Sequence, residues 1–311
     1  MTKQDLLDTM ERIRAYIHRT PVLTSTALNN RAGAELFFKC ENFQRMGAFK
    51  MRGAANAVFS LSEADRNRGV VTHSSGNFAQ AVSLSARTAG VPAYIVMPET
   101  APAVKQAAVQ GYGGQITICP PTLKDREAHA NAIEKEKGAT FLHPSNQMEV
   151  ILGNATAAME LLEDYPDLDY VLTPVGGGGL VAGTALAVHY FGRGCKTIGG
   201  EPFAVDDAYR SLKSGKIEKN KSTDTIADGL RTELGDINFP IIQKYVEQII
   251  RVEEEEIISA MRLIWERMKI IIEPSCAVPF AAVLREPSQF AAKKTGIILS
   301  GGNVDLGKLP F

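Results

Sequence analysis

Four consecutive glycines, Gly176 to Gly179, follow an apolar run ending in Val175 and precede a helical pattern opening at Leu180. Strand, glycine run and helix in that order gather unpaired backbone N–H groups and a positive helix end at one point, which suits a phosphate. So many adjacent glycines cost chain entropy, so a close backbone approach must require them. The spacing is not G-x-G-x-x-G and no P-loop lysine follows, which indicates neither a dinucleotide loop nor a nucleoside-triphosphate loop. A second candidate is Lys50, between Phe49 and Met51 where an irregular segment meets a helix. Apolar neighbours that desolvate an amine lower its pKa and leave it free for Schiff-base chemistry.

Both features need elements to carry them. From residue 69 onward, short apolar runs alternate with helical patterns. Residues 69–72, 93–97, 115–119 and 170–175 read as strands, with helices expected over 77–89, 103–111, 123–137, 150–162 and 180–190. Further strands are expected at 198–200 and 296–299, and a helix over 257–268. This alternation specifies parallel sheet with right-handed crossovers, an α/β architecture. Ligands of open parallel sheets gather at the carboxyl ends of the strands. Ser74-Ser75-Gly76-Asn77, the glycine run, Glu201-Pro202 and Ser300-Gly301-Gly302-Asn303 all fall at such ends. One site is expected to draw on several of them. The charged stretch 211–224 reads as a solvated surface excursion, and Glu253–Glu256 as a helix start favoured by the dipole.

A chain of 311 residues, 45% hydrophobic and 22% charged, can bury a large core and has an ordinary globular composition. Its formal net charge of −1 gives no electrostatic footprint for nucleic acid or an anionic membrane, so the expected partner is a small molecule. Cys40, Cys119, Cys195 and Cys276 are far apart, which argues for a reducing compartment and against a zinc site or disulfide framework. The amino-terminal segment lacks the apolar core of a signal peptide, and no apolar run approaches membrane-spanning length. A cytoplasmic location is expected.

Several short motifs occur in a fixed order along nearly the whole chain: ENFQ-x-x-GAFK-x-RGA from Glu41, SSGN-x-AQA from Ser74, PVGGGGL-x-AG from Pro174, then Glu201-Pro202, IADGL, IEPS and LSGGN. In this the sequence resembles the fold type II family of pyridoxal 5′-phosphate (PLP) enzymes. Within it, the branch of serine racemases, serine/threonine dehydratases and threo-3-hydroxyaspartate ammonia-lyases is the most similar. The resemblance implies a two-domain, tryptophan synthase β-like fold. Residues 1–66 and 148–311 would form a large PLP-binding domain, with 67–147 inserted as a small domain carrying the substrate loop.

The resemblance also implies roles at matching positions. Lys50 would hold PLP and act as the base at Cα. Gly176, Gly177, Gly178 and Gly179 would bind its phosphate through backbone N–H groups. Asn77 would contact the ring hydroxyl, Ser300 the pyridine nitrogen, and Phe49 would pack on the ring. A hydroxyl facing that nitrogen need not keep it protonated, which suits elimination over transamination. Ser74, Ser75 and Asn77 match the loop that receives the substrate α-carboxylate at a helix N-terminus. Ser75 matches the acid/base on the face opposite the lysine in the racemase branch. Glu201, Asp207 and the carbonyl of Val205 match a divalent-metal loop, with oxygen ligands suited to Mg²⁺ or Ca²⁺ and Mn²⁺ a further candidate. Arg126 matches, by its spacing to His143-Pro144, an arginine able to grip a second substrate carboxylate in two-point fashion. Ser145, Asn146 and Arg231 are neighbouring substrate-binding candidates.

Several positions depart from the family pattern, among them Ser275-Cys276-Ala277, which follows Glu273-Pro274 where a glycine is commoner. Met46 and Ala48 replace the Thr and Ser of TGSFK, Phe78 replaces the His of SGNHGQ, and Gly153-Asn154-Ala155-Thr156 replaces GQGT. The changes near the lysine and the substrate loop bear on substrate identity more than on cofactor use.

The expected activity is elimination of water from a β-hydroxy-α-amino acid (L-serine, L-threonine or threo-3-hydroxyaspartate) to a 2-oxo acid and ammonia, by a homodimer. The alternative is a serine- or aspartate-type racemase, which shares the first proton removal. β-Replacement is disfavoured by the EP…DD and DGLRT stretches. A non-catalytic amino acid-binding regulator on the same scaffold is disfavoured by the intact Lys50, Ser75 and Ser300. The short tail after LSGGNVDL gives no expectation of a regulatory domain.

Overall fold

The computed structural model describes all 311 residues. Strands β1 (Val22–Leu23) and β2 (Glu35–Cys40) open a larger sheet. The chain then leaves it to build a smaller sheet from β3 (Val70–His73), β4 (Ala93–Pro98), β5 (Gly114–Cys119) and β6 (Thr140–Phe141). It returns through β7 (Tyr170–Pro174), β8 (Lys196–Pro202), β9 (Val246–Val252) and β10 (Lys294–Leu299). The orders are β1-β2-β10-β7-β8-β9 and β5-β4-β3-β6. Every pair is parallel except β1 with β2. Strands β3, β7 and β10 read as apolar runs because helices cover both faces of the sheets, which removes any in–out alternation.

Three helices position the site. Lys50–Phe59 and Gly179–Phe191 both pack on Met148–Asp164, and both do so backbone to backbone. A Cβ on Gly153 would stand 2.4 Å from the carbonyl oxygen of Arg52, and one on Gly183 2.5 Å from that of Ile151. The lysine at the start of one helix and the glycine run at the start of another are thereby referred to one rigid element.

Beside the unread strand β9, two stretches differ in detail from the sequence-based expectation. Residues 211–224 are largely exposed, as expected, but they are anchored by their polar groups. Ser211 is buried, its hydroxyl donates to the Asp207 carbonyl and accepts from the Glu218 N–H, and Asn220 brackets Asp207 from both sides. Charge density marks only the outer face of this segment. The second departure is the buried helix Pro274–Arg285, which no periodicity announces because it is apolar almost all round. No helix is long and apolar enough to cross a membrane.

Candidate active site

The Lys50 amine donates to the carbonyl oxygen of Pro144 at 2.7 Å. It lies 5.1 Å from the ring centroid of Phe49 and 5.6 Å from that of Phe78. Burial lowers its pKa to about 8, against the opposing charge of Glu273. An amine so placed is a usable nucleophile and base at neutral pH.

Pro144 links this amine to the glycine run, because the next residue, Ser145, is buried against the loop. A Cβ on Gly177 would stand 2.4 Å from Ser145 Oγ, and one on Gly179 2.8 Å from the Ser145 carbonyl oxygen. One on Gly176 would meet the Leu230 Cα at 2.8 Å, and one on Gly178, whose φ is +78°, would meet Asn238 Oδ1 at 2.7 Å. The close approach that requires these glycines is therefore an approach of protein to protein. The N–H groups of Gly176, Gly177 and Gly178 donate to no backbone carbonyl and stand at the start of helix Gly179–Phe191. Asn238, fully buried, fixes the peptide plane by donating to the Gly177 carbonyl at 2.8 Å. The result is a preformed anion cradle.

Ser74 and Ser75 form the turn between β3 and the helix Asn77–Ala89, half-buried, with Ser74 Oγ accepting from the Gly76 N–H at 3.4 Å. Asn77 opens that helix and donates to both carboxylate oxygens of Glu273, at 3.0 and 3.1 Å. Ser300 ends β10 beside the lysine segment: its carbonyl accepts the Phe49 N–H at 2.9 Å, and its side chain lies beside the buried thiol of Cys276.

Arg126 stands in helix Leu123–Lys137 with its Nε buried and without a protein partner, within electrostatic reach of His73. The rings of His73 and His143 are 6.3 Å apart. His143 Nδ1 accepts from the backbone N–H groups of Ser145 and Asn146, and burial, with help from His73 and Lys50, lowers its pKa to about 4. A neutral histidine thus shapes the loop that carries Pro144 and Ser145. Two sequence candidates are spent on loop structure: Asn146 holds Asp236 and the Ile237 N–H, and Arg231 donates to the Thr225 carbonyl.

Glu201 and Asp207 lie at the end of β8, apart from this cluster, with Val205 buried between them in sequence. Burial raises the Glu201 carboxyl well above its usual range, with Asp207 and Asp206 adding to the effect. Burial raises Asp207 to about 6. The Glu201 oxygens accept only the N–H groups of Ala208 and Tyr209, and no cationic side chain balances them. Asp207 accepts from Asn220 Nδ2 and the Leu234 N–H, and Arg210 only partly offsets its burial, so the buried pair offers the oxygen donors a hard divalent cation takes.

A family profile described as "Pyridoxal-phosphate dependent enzyme" matches residues 13–301. The chain belongs to that family. It is 48% identical to a protein named serine racemase from Dictyostelium discoideum, over 99% of this chain and 97% of that one. It is 47% identical to a beta-hydroxyaspartate dehydratase from Paracoccus denitrificans, covering 100% and 98% of the two chains. It is also 47% identical to an L-threo-3-hydroxyaspartate ammonia-lyase from Saccharomyces cerevisiae, over 98% and 94%. The crystal structure of the Dictyostelium racemase superposes with a TM-score of 0.95 over 98% of this chain and 99% of that one. The architecture is that of a fold type II PLP enzyme, and PLP is the cofactor of the family.

The site fits that cofactor: a depressed lysine for its aldehyde and open backbone donors for its phosphate. Because only the neutral amine attacks an aldehyde, PLP uptake by apo-protein is expected to accelerate with rising pH around a midpoint near pH 8, where Lys50 titrates. An ordinary lysine would give a midpoint near 10. Stopped-flow absorbance of PLP binding from pH 6.5 to 10.5 measures it.

Sequence reasoning left four contributors unassigned: the Pro144 carbonyl, His143, Asn238 and Glu273. Glu273 lay inside the quoted IEPS motif, so a signal existed. Nothing local distinguishes Asn238, whose value comes from a contact 61 residues away in sequence.

Proposed function

We propose that this chain is a PLP-dependent ammonia-lyase that eliminates water from a β-hydroxy-α-amino acid, yielding a 2-oxo acid and ammonia. The observation that carries this is the Lys50 amine, lowered to about 8 and bonded to Pro144, next to the residue that backs the anion cradle. When bound, PLP draws off the electron density left at Cα. Lys50 would anchor the cofactor through its amine and is the group placed to take the Cα proton. The N–H groups of Gly176–Gly179 would hold the phosphate, and Phe49, Ser300 and Asn77 are the residues that would contact the ring. Ser74 and Ser75, ahead of helix Asn77–Ala89, receive the α-carboxylate. The unpartnered Nε of Arg126 supports a second carboxylate as ligand, with Ser145 a further candidate contact, and so favours threo-3-hydroxyaspartate among the substrates. Ammonia release from L-serine, L-threonine and both hydroxyaspartate diastereomers tests the proposal. A PLP-loaded protein that releases ammonia from none of them ends it.

The racemase alternative is supported equally by the relatives' names. It requires proton delivery from the face opposite Lys50, for which Ser75 is the candidate. Ser75→Ala is expected to lose racemisation by roughly 10²-fold or more while retaining elimination from the L-substrate. Equal loss of both activities would remove Ser75 from the acid/base role.

Glu201, Asp207 and the Val205 carbonyl are proposed to hold Mg²⁺, Ca²⁺ or Mn²⁺, whose charge would neutralise the buried pair. Saturating cation, at about 100 times its Kd, is expected to stabilise the protein by roughly 2.7 kcal/mol. The gain should vanish with a chelator or in Asp207→Asn, as thermal melts would show. Residues 67–147 are proposed to close as a unit over the rest. The Lys105–Asp228 ion pair, 2.7 Å across, joins the two parts. A homodimer is proposed from the family, with light scattering as its check.

A further inference from the structure

Asn77 makes a three-bond polar contact between the smaller-sheet region and the rest of the molecule. Its Nδ2 donates to both oxygens of Glu273, and its Oδ1 accepts from Asn303 Nδ2 at 2.8 Å. Asn303 is itself held by the Met46 carbonyl at 2.8 Å. A carboxylate can only accept, so Glu273 decides which end of the Asn77 amide points where. Glu273 is buried at the head of helix Pro274–Arg285, with its N–H on the Gly301 carbonyl at 3.0 Å. A Cβ on Gly301 would lie 2.9 Å from the Glu273 carboxylate, so that glycine leaves room for it. The bridge Ala48–Gly301 and the Phe49–Ser300 bond bring the same strand end to the lysine segment.

We propose that Glu273 is a positioning residue of this site: its carboxylate fixes the orientation of the Asn77 amide toward the cofactor and supplies the negative charge facing the Lys50 amine. This rests on Lys50 being the cofactor lysine. Glu273 is the one charged group that opposes the burial of Lys50. Around Glu273 itself stand Asp228, which repels it, Lys105, which attracts it, the Asn303 N–H, and Cys276 one turn along its helix. Burial, with Asp228, raises the Glu273 carboxyl to about 7, so it is mostly charged where Lys50 titrates.

The test uses Glu273→Gln, which keeps the shape and removes the charge. Without that charge the ammonium form of Lys50 loses support, so its pKa falls. The midpoint of PLP uptake should therefore move to lower pH, by about half a unit or more. The dissociation constant for PLP should rise about tenfold, because the Asn77 amide is no longer held to one orientation. Glu273→Asp should restore the midpoint through its charge, and Asn77→Ala should weaken PLP binding no further when added to Glu273→Gln. A folded Glu273→Gln protein with an unmoved midpoint and a PLP affinity within twofold of the parent overturns the proposal. Borohydride reduction followed by peptide mass spectrometry separates the two claims. PLP fixed to another lysine sinks the Lys50 assignment, whereas PLP on Lys50 with an unmoved midpoint and an affinity within twofold of the parent sinks the role of Glu273 alone.

Discussion

Lys50→Ala is expected to lower kcat/KM for ammonia release by at least about 10³-fold, since one side chain serves as anchor and base. The loss should not come from unfolding. The lysine is half-buried, and burial lowers its pKa to about 8, so the fold disfavours the ammonium. The Pro144 carbonyl loses its one donor, which is a modest penalty of roughly 1 kcal/mol, and relief from burying the amine offsets it. Lys50→Arg separates charge from chemistry. A guanidinium can still reach the Pro144 carbonyl but cannot deprotonate, so it should be as inactive as alanine. Steady-state kinetics on serine, threonine and threo-3-hydroxyaspartate, with a thermal melt of each variant, measure both parts. Activity within tenfold of the parent in either variant would exclude Lys50 as the base.

That Lys50 and the glycine run were legible follows from how local their signals are. A strand, four glycines and a helix announce an anion cradle within a dozen residues. The regular alternation of β3 to β8 with helices is equally local. What could not be read was whatever depends on distant neighbours. The glycines looked as though they made room for a ligand, yet Ser145, Leu230 and Asn238 show that they also make room for protein. Glu201 and Asp207 stood out only through resemblance, because their burial depends on the fold around β8. Arg126 read as a surface arginine at a helix start, and the structure agrees for most of its length. Its Nε is buried without a protein partner, and its charge reaches His73. Strand β9 escaped notice because its Val-Glu-Gln-Ile-Ile-Arg-Val pattern alternates imperfectly, and the structure has a register shift where β8 meets it.

The motif that carries Lys50 is as much structural as chemical, and this gives the second large expected effect. Arg52, two residues after Lys50, is fully buried. Its guanidinium forks onto both oxygens of Glu41 at 2.7 and 2.8 Å and onto both oxygens of Glu160 at 2.8 Å. Lys39 completes the cluster, donating to Glu160 at 2.6 Å and to the Thr20 carbonyl at 2.7 Å. Thr20 Oγ donates to Glu41 at 2.6 Å, and Arg52 also reaches Thr156 Oγ. Two cations and two anions cancel, with nearly every donor used. Burial alone would raise the Glu160 carboxyl, but Arg52 and Lys39 outweigh it and hold the group below its usual value. Arg52→Met leaves two buried carboxylates facing one lysine and is expected to destabilise the fold by about 3–5 kcal/mol. Arg52→Lys keeps the charge but cannot bridge two carboxylates with one ammonium, so it should fall between the parent and Arg52→Met. If Arg52→Met accumulates no folded protein, Glu41→Gln provides the milder probe. Adding Glu160→Leu to Arg52→Met restores charge balance with Lys39 and Glu41, so the pair should lose less than the sum of the single changes. Denaturant melts with PLP titrations of the folded variants would show it. An Arg52→Met protein within about 1 kcal/mol of the parent would mean that the cluster does not hold the helix that begins at Lys50.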